Sequence, residues 1–185
     1  MEPRELVQRA ARGDHEAFGA LVKLASNRLY AIAYRIVRDQ HLAEDALQQT
    51  LITVWNELPR LRDPDRFDAW TYRLIARAAI AEARRARRND TVDLLPDDAD
   101  LSRSPDAYRA VIDRDELDRG FRRISPEQRA VLVLQHFGGL SQAEIADVLG
   151  IPIGTAGSRI HYAARALRAA IEADSRQGTG QESIA

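Results

Sequence analysis

The stretch SQAEIADVLGIPIGTAGSRIHYAARAL, residues 141–167, decides the fold. Ser141 followed three residues later by Glu144 is a capping box, so a helix starts here. It runs through Leu149, and Gly150 stops it. Ile151-Pro152-Ile153-Gly154 turns the chain, and a longer helix follows from about Thr155 to Ala173. A short capped helix, a tight turn marked by Gly150 and a longer helix predict a helix-turn-helix. Ile145, Ala146 and Leu149 are its inward residues on the first helix, and Ala146 is small where the helices must approach. On the second helix the expected buried stripe is Ile160, Ala164, Leu167 and Ile171. A turn of about 100° per residue puts Thr155, Ser158, Tyr162, Arg165 and Ala169 on the opposite face, flanked by Arg159 and His161. The helix N-terminus suits a backbone phosphate, and Arg159, Arg165 and Arg168 add charge and base contacts. A plain helical hairpin inside a bundle is the alternative. The consecutive helix starts, the short turn and the arginine-bearing outer face favour duplex DNA.

Upstream of this stretch the pattern is also helical. Ser125-Pro126-Glu127-Gln128 is another capping box with proline in the first turn. Its helix carries Val131, Leu132, Leu134 and Gln135 and ends at Gly138-Gly139. Before it, Leu117, Phe121 and Ile124 form a stripe. Residues 89–112, with Asp90, Asp93, Asp97, Asp98, Asp100, Asp106, Pro96 and Pro105, break the periodicity and are expected to be an acidic linker. Residues 1–88 then form a first helical domain. A short helix from Leu6 to Arg12 stops at Gly13, and Asp14 caps a second, with Phe18, Leu21, Val22, Ala25, Leu29, Ile32, Ala33 and Ile36 inward. A third begins near His41, with Leu42, Ala46, Leu47, Leu51, Val54 and Trp55 inward. Pro59 and Pro64 bracket a loop, and a fourth helix spans about Phe67 to Arg88, with Phe67, Trp70, Leu74 and Ala78 on one stripe. Strand signals are absent. The expectation is an all-α chain of two small helical domains, 1–88 and 113–173, joined by the linker and followed by a flexible tail, 174–185.

Composition narrows the function. The 185 residues are 45% hydrophobic and 30% charged, which suits a globular chain and not a disordered one. No apolar run approaches the roughly 20 residues of a membrane helix, and residues 1–12 lack a signal-peptide core, so no membrane insertion and a cytoplasmic location are expected. Zero cysteines exclude a disulfide framework, a thiol nucleophile and a Cys-liganded zinc. The net charge of −1 conceals +4 over residues 1–88, −7 over 89–118 and +2 over 119–185. Two basic blocks around an acidic one point to a polyanion partner.

Catalysis finds little support. His15, His41, His136 and His161 are scattered, and no Gly-rich phosphate loop, HExxH or GxSxG occurs. The chain is expected to be no enzyme, with no metal and no cofactor. Two surfaces remain besides the helix-turn-helix. In the fourth helix and the loop before it, Arg62, Arg66, Arg73 and Arg77 sit beside Phe67 and Tyr72; cations attract a strand and aromatic faces stack unpaired bases. Trp70 belongs with the core stripe. The arginines from Arg84 to Arg88 fit either a phosphate clamp or a solubilising helix end. On the third helix Glu44, Asp45, Gln48, Gln49 and Thr53 make a polar stripe bordered by Leu47, Leu51 and Trp55, the pattern of a partner-docking face.

These motifs together resemble a family. Leu42 to Thr50 with Val54-Trp55, then Arg66 to Arg77, are similar to the first conserved domain of extracytoplasmic-function (ECF) sigma factors of bacterial RNA polymerase. Leu140 to Ala146, Gly150 to Thr155, Ser158-Arg159 and Ala166 to Arg168 are similar to the second. The resemblance implies a transcription initiation factor whose partners are core RNA polymerase, promoter DNA and an anti-sigma factor. Core docking would fall to Asp45, Leu47, Gln48, Gln49, Leu51 and Trp55. The melted minus-ten strand would fall to Arg62, Arg66, Phe67, Tyr72, Arg73 and Arg77. The minus-thirty-five duplex would fall to Thr155, Ser158, Arg159, His161, Tyr162, Arg165 and Arg168. A stand-alone helix-turn-helix regulator and a protein-binding module are the other classes. The chain departs from the family pattern at Gln49 (commonly Glu), Ala78 (Asn), Glu82 (Asp), Gly157 (Lys), and at Tyr162 and Ala164, which are often basic. These departures bear on which promoter is read.

Overall fold

Four helices start with the same bond. Asp14, Asp39, Ser125 and Ser141 each accept the backbone N–H three residues on, from Ala17, Leu42, Gln128 and Glu144, at 3.0, 2.8, 3.2 and 3.3 Å. Each cap satisfies an amide that the helix itself leaves orphaned. The computed structural model describes the backbone over residues 3–89 and 117–181, and side chains over 3–88 and 117–173. The helices are α1 (Pro3–Ala11), α2 (His15–Val37), α3 (Gln40–Glu57), α4 (Phe67–Asn89), α5 (residues 117–123), α6 (Pro126–His136), α7 (Gln142–Leu149) and α8 (Ile153–Gln181). Short 3-10 turns at Leu58–Arg60 and Pro64–Arg66 occupy the loop between α3 and α4. No strand occurs among the described residues, so the chain is all-α. The expected acidic linker lies outside the described residues, apart from Asn89, which closes α4.

Helix ends differ most from the sequence expectation in α1 and α8. α1 begins earlier, at Pro3. α8 begins two residues earlier, because the Pro152 carbonyl already accepts from the Ala156 amide at 3.0 Å, and its backbone stays helical to Gln181 rather than ending near Ala173.

The two groups of helices touch. α2 packs on α6, and α4 packs on both α6 and α7. One continuous core therefore joins Leu29, Ile32, Ile36 and Ile75 of the first group to Val131, Leu134, Ile145 and Val148 of the second. Alanines at Ala76, Ala79, Ala130, Ala146, Ala156 and Ala163 are buried in it, which lets the axes approach closely. A smaller cluster of Leu6, Val7, Leu21, Val54, Leu58 and Phe67 seals the far end beneath α1.

Several expected faces are rotated. On α3 the buried residues are Ala43, Ala46, Thr50 and Val54, while Leu42, Leu47 and Leu51 are half-buried and Trp55 is 37% exposed. Ala46 and Val54 are inward as expected, joined by Ala43 and Thr50, while the larger Leu42, Leu47, Leu51 and Trp55 lie nearer the surface. On α8 the fully buried positions are Ala156 and Ala163; Ala164 is exposed, and Ile160 and Leu167 are half-buried.

The helix-turn-helix depends on its capping box. Ser141 accepts from the Glu144 amide, its own amide donates to the Glu144 carboxylate at 2.8 Å, and Gly150 closes α7 at φ 66°. Its hydroxyl also donates to that carboxylate, holding the Glu144 carboxyl below its ordinary pKa. We expect Ser141→Ala to cost about 1 kcal/mol in urea denaturation. Because a lowered carboxyl pKa stabilises above the unfolded pKa and is lost as pH falls, the gap between wild type and variant should narrow on acidification through the carboxylate range.

Candidate nucleic-acid and polymerase interface

Beyond the Gly150 turn, α8 presents Ser158, Arg159, His161, Tyr162, Arg165 and Arg168 as exposed side chains, with Thr155 half-buried at its start. Tyr162 is 62% exposed, an aromatic ring in solvent beside His161 at 5.9 Å between centroids. The Ser158 hydroxyl donates back to the Gly154 and Thr155 carbonyls, both at 3.1 Å, leaving its oxygen as an acceptor for a ligand. All seven residues expected to meet duplex DNA thus fall along one side of α8 or its N-terminal end.

Gly157 has a packing reason in this arrangement. A Cβ there would lie 2.5 Å from Nε2 of Gln142, whose amide donates to the Ile153 carbonyl at 2.8 Å and ties α7 to the start of α8. Replacing Gly157 with alanine gains about 1 kcal/mol of helix propensity and forfeits a bond of about 1 kcal/mol. Gly157→Ala should therefore leave the urea midpoint nearly unchanged. The same change made in a Gln142→Ala background should raise stability by the propensity gain alone, about 1 kcal/mol.

On α3, Asp45, Gln48 and Gln49 are exposed, Leu47 and Leu51 are half-buried beside them, and Trp55 packs against His15 and Phe18 with ring centroids 4.9 and 4.7 Å away. Ile52, 49% exposed, extends the face at helical spacing from Asp45 and Gln48. The sequence reading missed it, although the i, i+3, i+4, i+7 arithmetic from Asp45 reaches it. A polar face with an exposed isoleucine and tryptophan is suited to a helical partner.

The third surface needs correction. Phe67 and Tyr72, expected to stack on unpaired bases, are 8% and 5% exposed. Phe67 belongs to the cluster under α1, and Tyr72 joins Thr71, Ile75, Ala76, Ala79 and Ala83 as the buried face of α4. Burial pushes the Tyr72 phenol up despite the Arg28 guanidinium 5.5 Å from its ring. Neither ring is available to a base. Arg62, Arg66 and Arg77 are exposed and Arg73 is half-buried, so the cationic part of this surface remains.

Arg73, Arg77, Ile80 and Arg84 follow one another along a single stripe of α4, and that stripe faces the second group of helices. Arg73 donates to Asp147 of α7 at 2.7 Å, and Arg84 to Glu127 of α6 at 2.7 Å. Burial pushes the Glu127 carboxyl up, but bonds from its own amide, Arg84 and Ser125 outweigh this and hold it below its ordinary value. Arg77 reaches Gly150, where a Cβ would sit 3.1 Å from its Nη2. Among the described residues no cluster of His, Asp and Glu is placed to hold a metal ion.

An all-α chain with a helix-turn-helix, an arginine-bearing helical domain and a docking face is a two-domain DNA-binding transcription factor. Known proteins specify it further. Residues 21–89 match the family model of sigma-70 region 2, and residues 114–167 match that of sigma-70 region 4. The chain is 30% identical to RNA polymerase sigma-H factor of Pseudomonas aeruginosa, over 92% of its own length and 94% of that protein's. It is 33% identical to ECF RNA polymerase sigma factor SigL of Mycobacterium tuberculosis, over 90% and 95%. Among solved structures it resembles CnrH in complex with the cytosolic domain of CnrY (TM-score 0.65, 28% identity, 93% of this chain and 98% of that one). It shares the fold of the sigma factor RpoE from Bartonella quintana, solved with the anti-sigma factor NepR (TM-score 0.68, 21% identity, 85% and 98%). The chain belongs to the ECF sigma factors. It is a transcription initiation factor that binds RNA polymerase, in a family that is not a class of enzymes.

Proposed function

We propose that the two halves divide promoter recognition as follows. The first domain, residues 1–88, docks on core polymerase through Asp45, Leu47, Gln48, Gln49, Ile52, Leu51 and Trp55. Its arginines Arg62, Arg66, Arg73 and Arg77 hold the melted minus-ten strand. The second domain, residues 113–173, reads the minus-thirty-five duplex through Thr155, Ser158, Arg159, His161, Tyr162, Arg165 and Arg168. The protein performs no chemistry itself and acts in the cytoplasm, where polymerase and DNA are. One observation carries this reading: the exposed polar and cationic side of α8 stands directly behind a glycine-closed turn, the geometry that lets a helix enter a major groove.

Run-off transcription with core polymerase tests it. Core should convert weak, salt-sensitive DNA binding into specific initiation, because two weak surfaces gain avidity only when a scaffold fixes their spacing. Arg159→Ala or Arg165→Ala should weaken upstream duplex binding by roughly 1–3 kcal/mol where the side chain meets a base edge, with core association intact. Tight DNA binding without core and no run-off transcript would favour a stand-alone regulator.

A protein antagonist fits the same surfaces. The partly apolar docking face on α3 must be open to meet polymerase, and both structural relatives were solved with a partner protein, one of them an anti-sigma factor. An anti-sigma factor of this chain should bind one-to-one, compete with core and lose affinity on Trp55→Ala.

A further inference from the structure

We propose that the cavity enclosed by α2, α5, α6 and α8 binds a single-chain fatty carboxylate, with the alkyl chain inside and the head group on Arg38. Of the residues assigned to core polymerase or promoter DNA, only Arg168 lines this cavity, so the site does not rest on those assignments.

The cavity holds about 570 Å³, within the roughly 300–1,000 Å³ of small-molecule sites. Its walls are apolar on three sides. α5 contributes Leu117 and Phe121, α6 contributes Leu132 and Phe137, and α8 contributes Leu167 and Ile171. Gly120 lets α5 rest directly on α8: a Cβ there would lie 2.7 Å from Cγ1 of Ile171 and 3.0 Å from Cδ1 of Leu167. Leu117 and Phe137 are each 42% exposed, so the apolar wall continues out to solvent. Covering such a wall with methylenes is favourable in proportion to the area removed from water.

Charge decides the head group. On the α2 side and the rim, Arg35, Arg38 and Arg168 outnumber the carboxylates of Asp118 and Glu172. Arg38 carries the argument. Its side chain is only 10% exposed, and its Nε has no hydrogen-bond partner. It stands at the C-terminal cap of α2 with φ 63°, where glycine or asparagine is the usual residue. An arginine is thus kept there at a cost in backbone conformation, which a bound anion would offset. Further cations back it. Arg129 is buried in α6 near Arg38 and Arg87, and its pKa is lowered to about 10 by burial, then by Arg87 and Arg38. Its Nε also lacks a partner. Positive charge accumulates at this end of the cavity.

The chain itself shows what Arg38 can hold. Asp118 of α5 places a carboxylate oxygen 2.6 Å from Nη2 of Arg38. That carboxylate is 54% exposed, so it can turn to water and yield its place at little cost. A ligand carboxylate bound side-on takes Nη2 and Nε together, which satisfies the donor that Asp118 leaves unbonded.

Titration calorimetry on the full-length chain tests this with sodium decanoate and dodecanoate below their micelle ranges. Each should bind one-to-one, dodecanoate about tenfold more tightly for its two further buried methylenes. Decyltrimethylammonium, with the decyl chain and the opposite charge, should not bind. Arg38→Gln should weaken decanoate about tenfold by removing a charge-assisted pair. Ala164→Trp alters an exposed position on the cavity wall, so it should fill the space and abolish binding while the ligand-free Tm stays unchanged. Decanoate at about ten times its Kd should raise the wild-type Tm by about 4 °C, and leave that of Ala164→Trp where it was. Equal binding of the cationic amphiphile, or several carboxylates per chain, means adsorption to exposed apolar surface and overturns the site. Undiminished binding by Ala164→Trp overturns the cavity as its place, and undiminished binding by Arg38→Gln overturns the head-group assignment. Absence of both heat and a Tm shift with either carboxylate overturns the proposal outright.

Discussion

Leu134→Ala is expected to lower the stability of the whole chain by about 3 kcal/mol, and the loss should be visible through tryptophans it does not touch. Leu134 is fully buried in α6, in the core that Ile32, Ile36 and Ile75 share with Val131 and Ile145. Removing its isobutyl group takes away transfer free energy and leaves a cavity that two packed helix groups cannot collapse. For a chain of this length that corresponds to a fall in Tm of roughly 6–12 °C. The chain's two tryptophans, Trp55 and Trp70, lie in α3 and α4. If the halves unfold as one unit, fluorescence and far-ultraviolet circular dichroism shift together. If they unfold independently, the tryptophan transition stays where it is in the wild type while the circular dichroism curve splits.

That seam is also what the sequence could not reveal. Helix starts are local: a capping oxygen and an amide three residues away are both visible in the chain, so Asp14, Ser125, Ser141 and the Gly150 stop were legible and fall where expected. Burial of a whole face is not local. Of the expected inward stripe of α3, Ala46 and Val54 are buried, but Leu42, Leu47, Leu51 and Trp55 are not, and the helix turns Ala43 and Thr50 to its neighbours instead. The same happened on α4. The sequence places Phe67 on an apolar stripe with Trp70, Leu74 and Ala78, yet Phe67 and Tyr72 also read as base-stacking residues, because aromatic residues beside arginines suit a strand. Only the packing of α1 over Phe67, and of Tyr72 against the α2–α4 core, decides between those uses. Many of the buried residues in the shared core are alanines, and an alanine carries little periodic signal. The surface residues fared better. The outer side of α8 follows from helical rotation alone, while its buried side centres on Ala156 and Ala163, with Ile160 and Leu167 half-buried.

The docking face yields the other large effect. Asp45 is an exposed carboxylate on the side of α3 that also carries Gln48, Gln49 and Ile52, while the neighbouring Glu44 accepts a bond from Gln40 at 3.1 Å. Asp45→Lys removes an attraction and adds a repulsion against whatever cation it meets on polymerase; like-charge juxtaposition at an interface costs several kcal/mol. Core association is expected to weaken by about 100-fold, equivalent to about 2.7 kcal/mol. Stability should stay within about 0.5 kcal/mol, since the residue is exposed and outside both cores. Run-off transcription should fall with it and recover when the factor concentration is raised, which a folding defect would not permit. Gln49→Glu should act in the opposite direction, adding a carboxylate on the next turn and tightening core association about threefold, a gain of about 0.65 kcal/mol. Retention of core binding by Asp45→Lys alongside lost promoter binding would transfer the docking role away from α3.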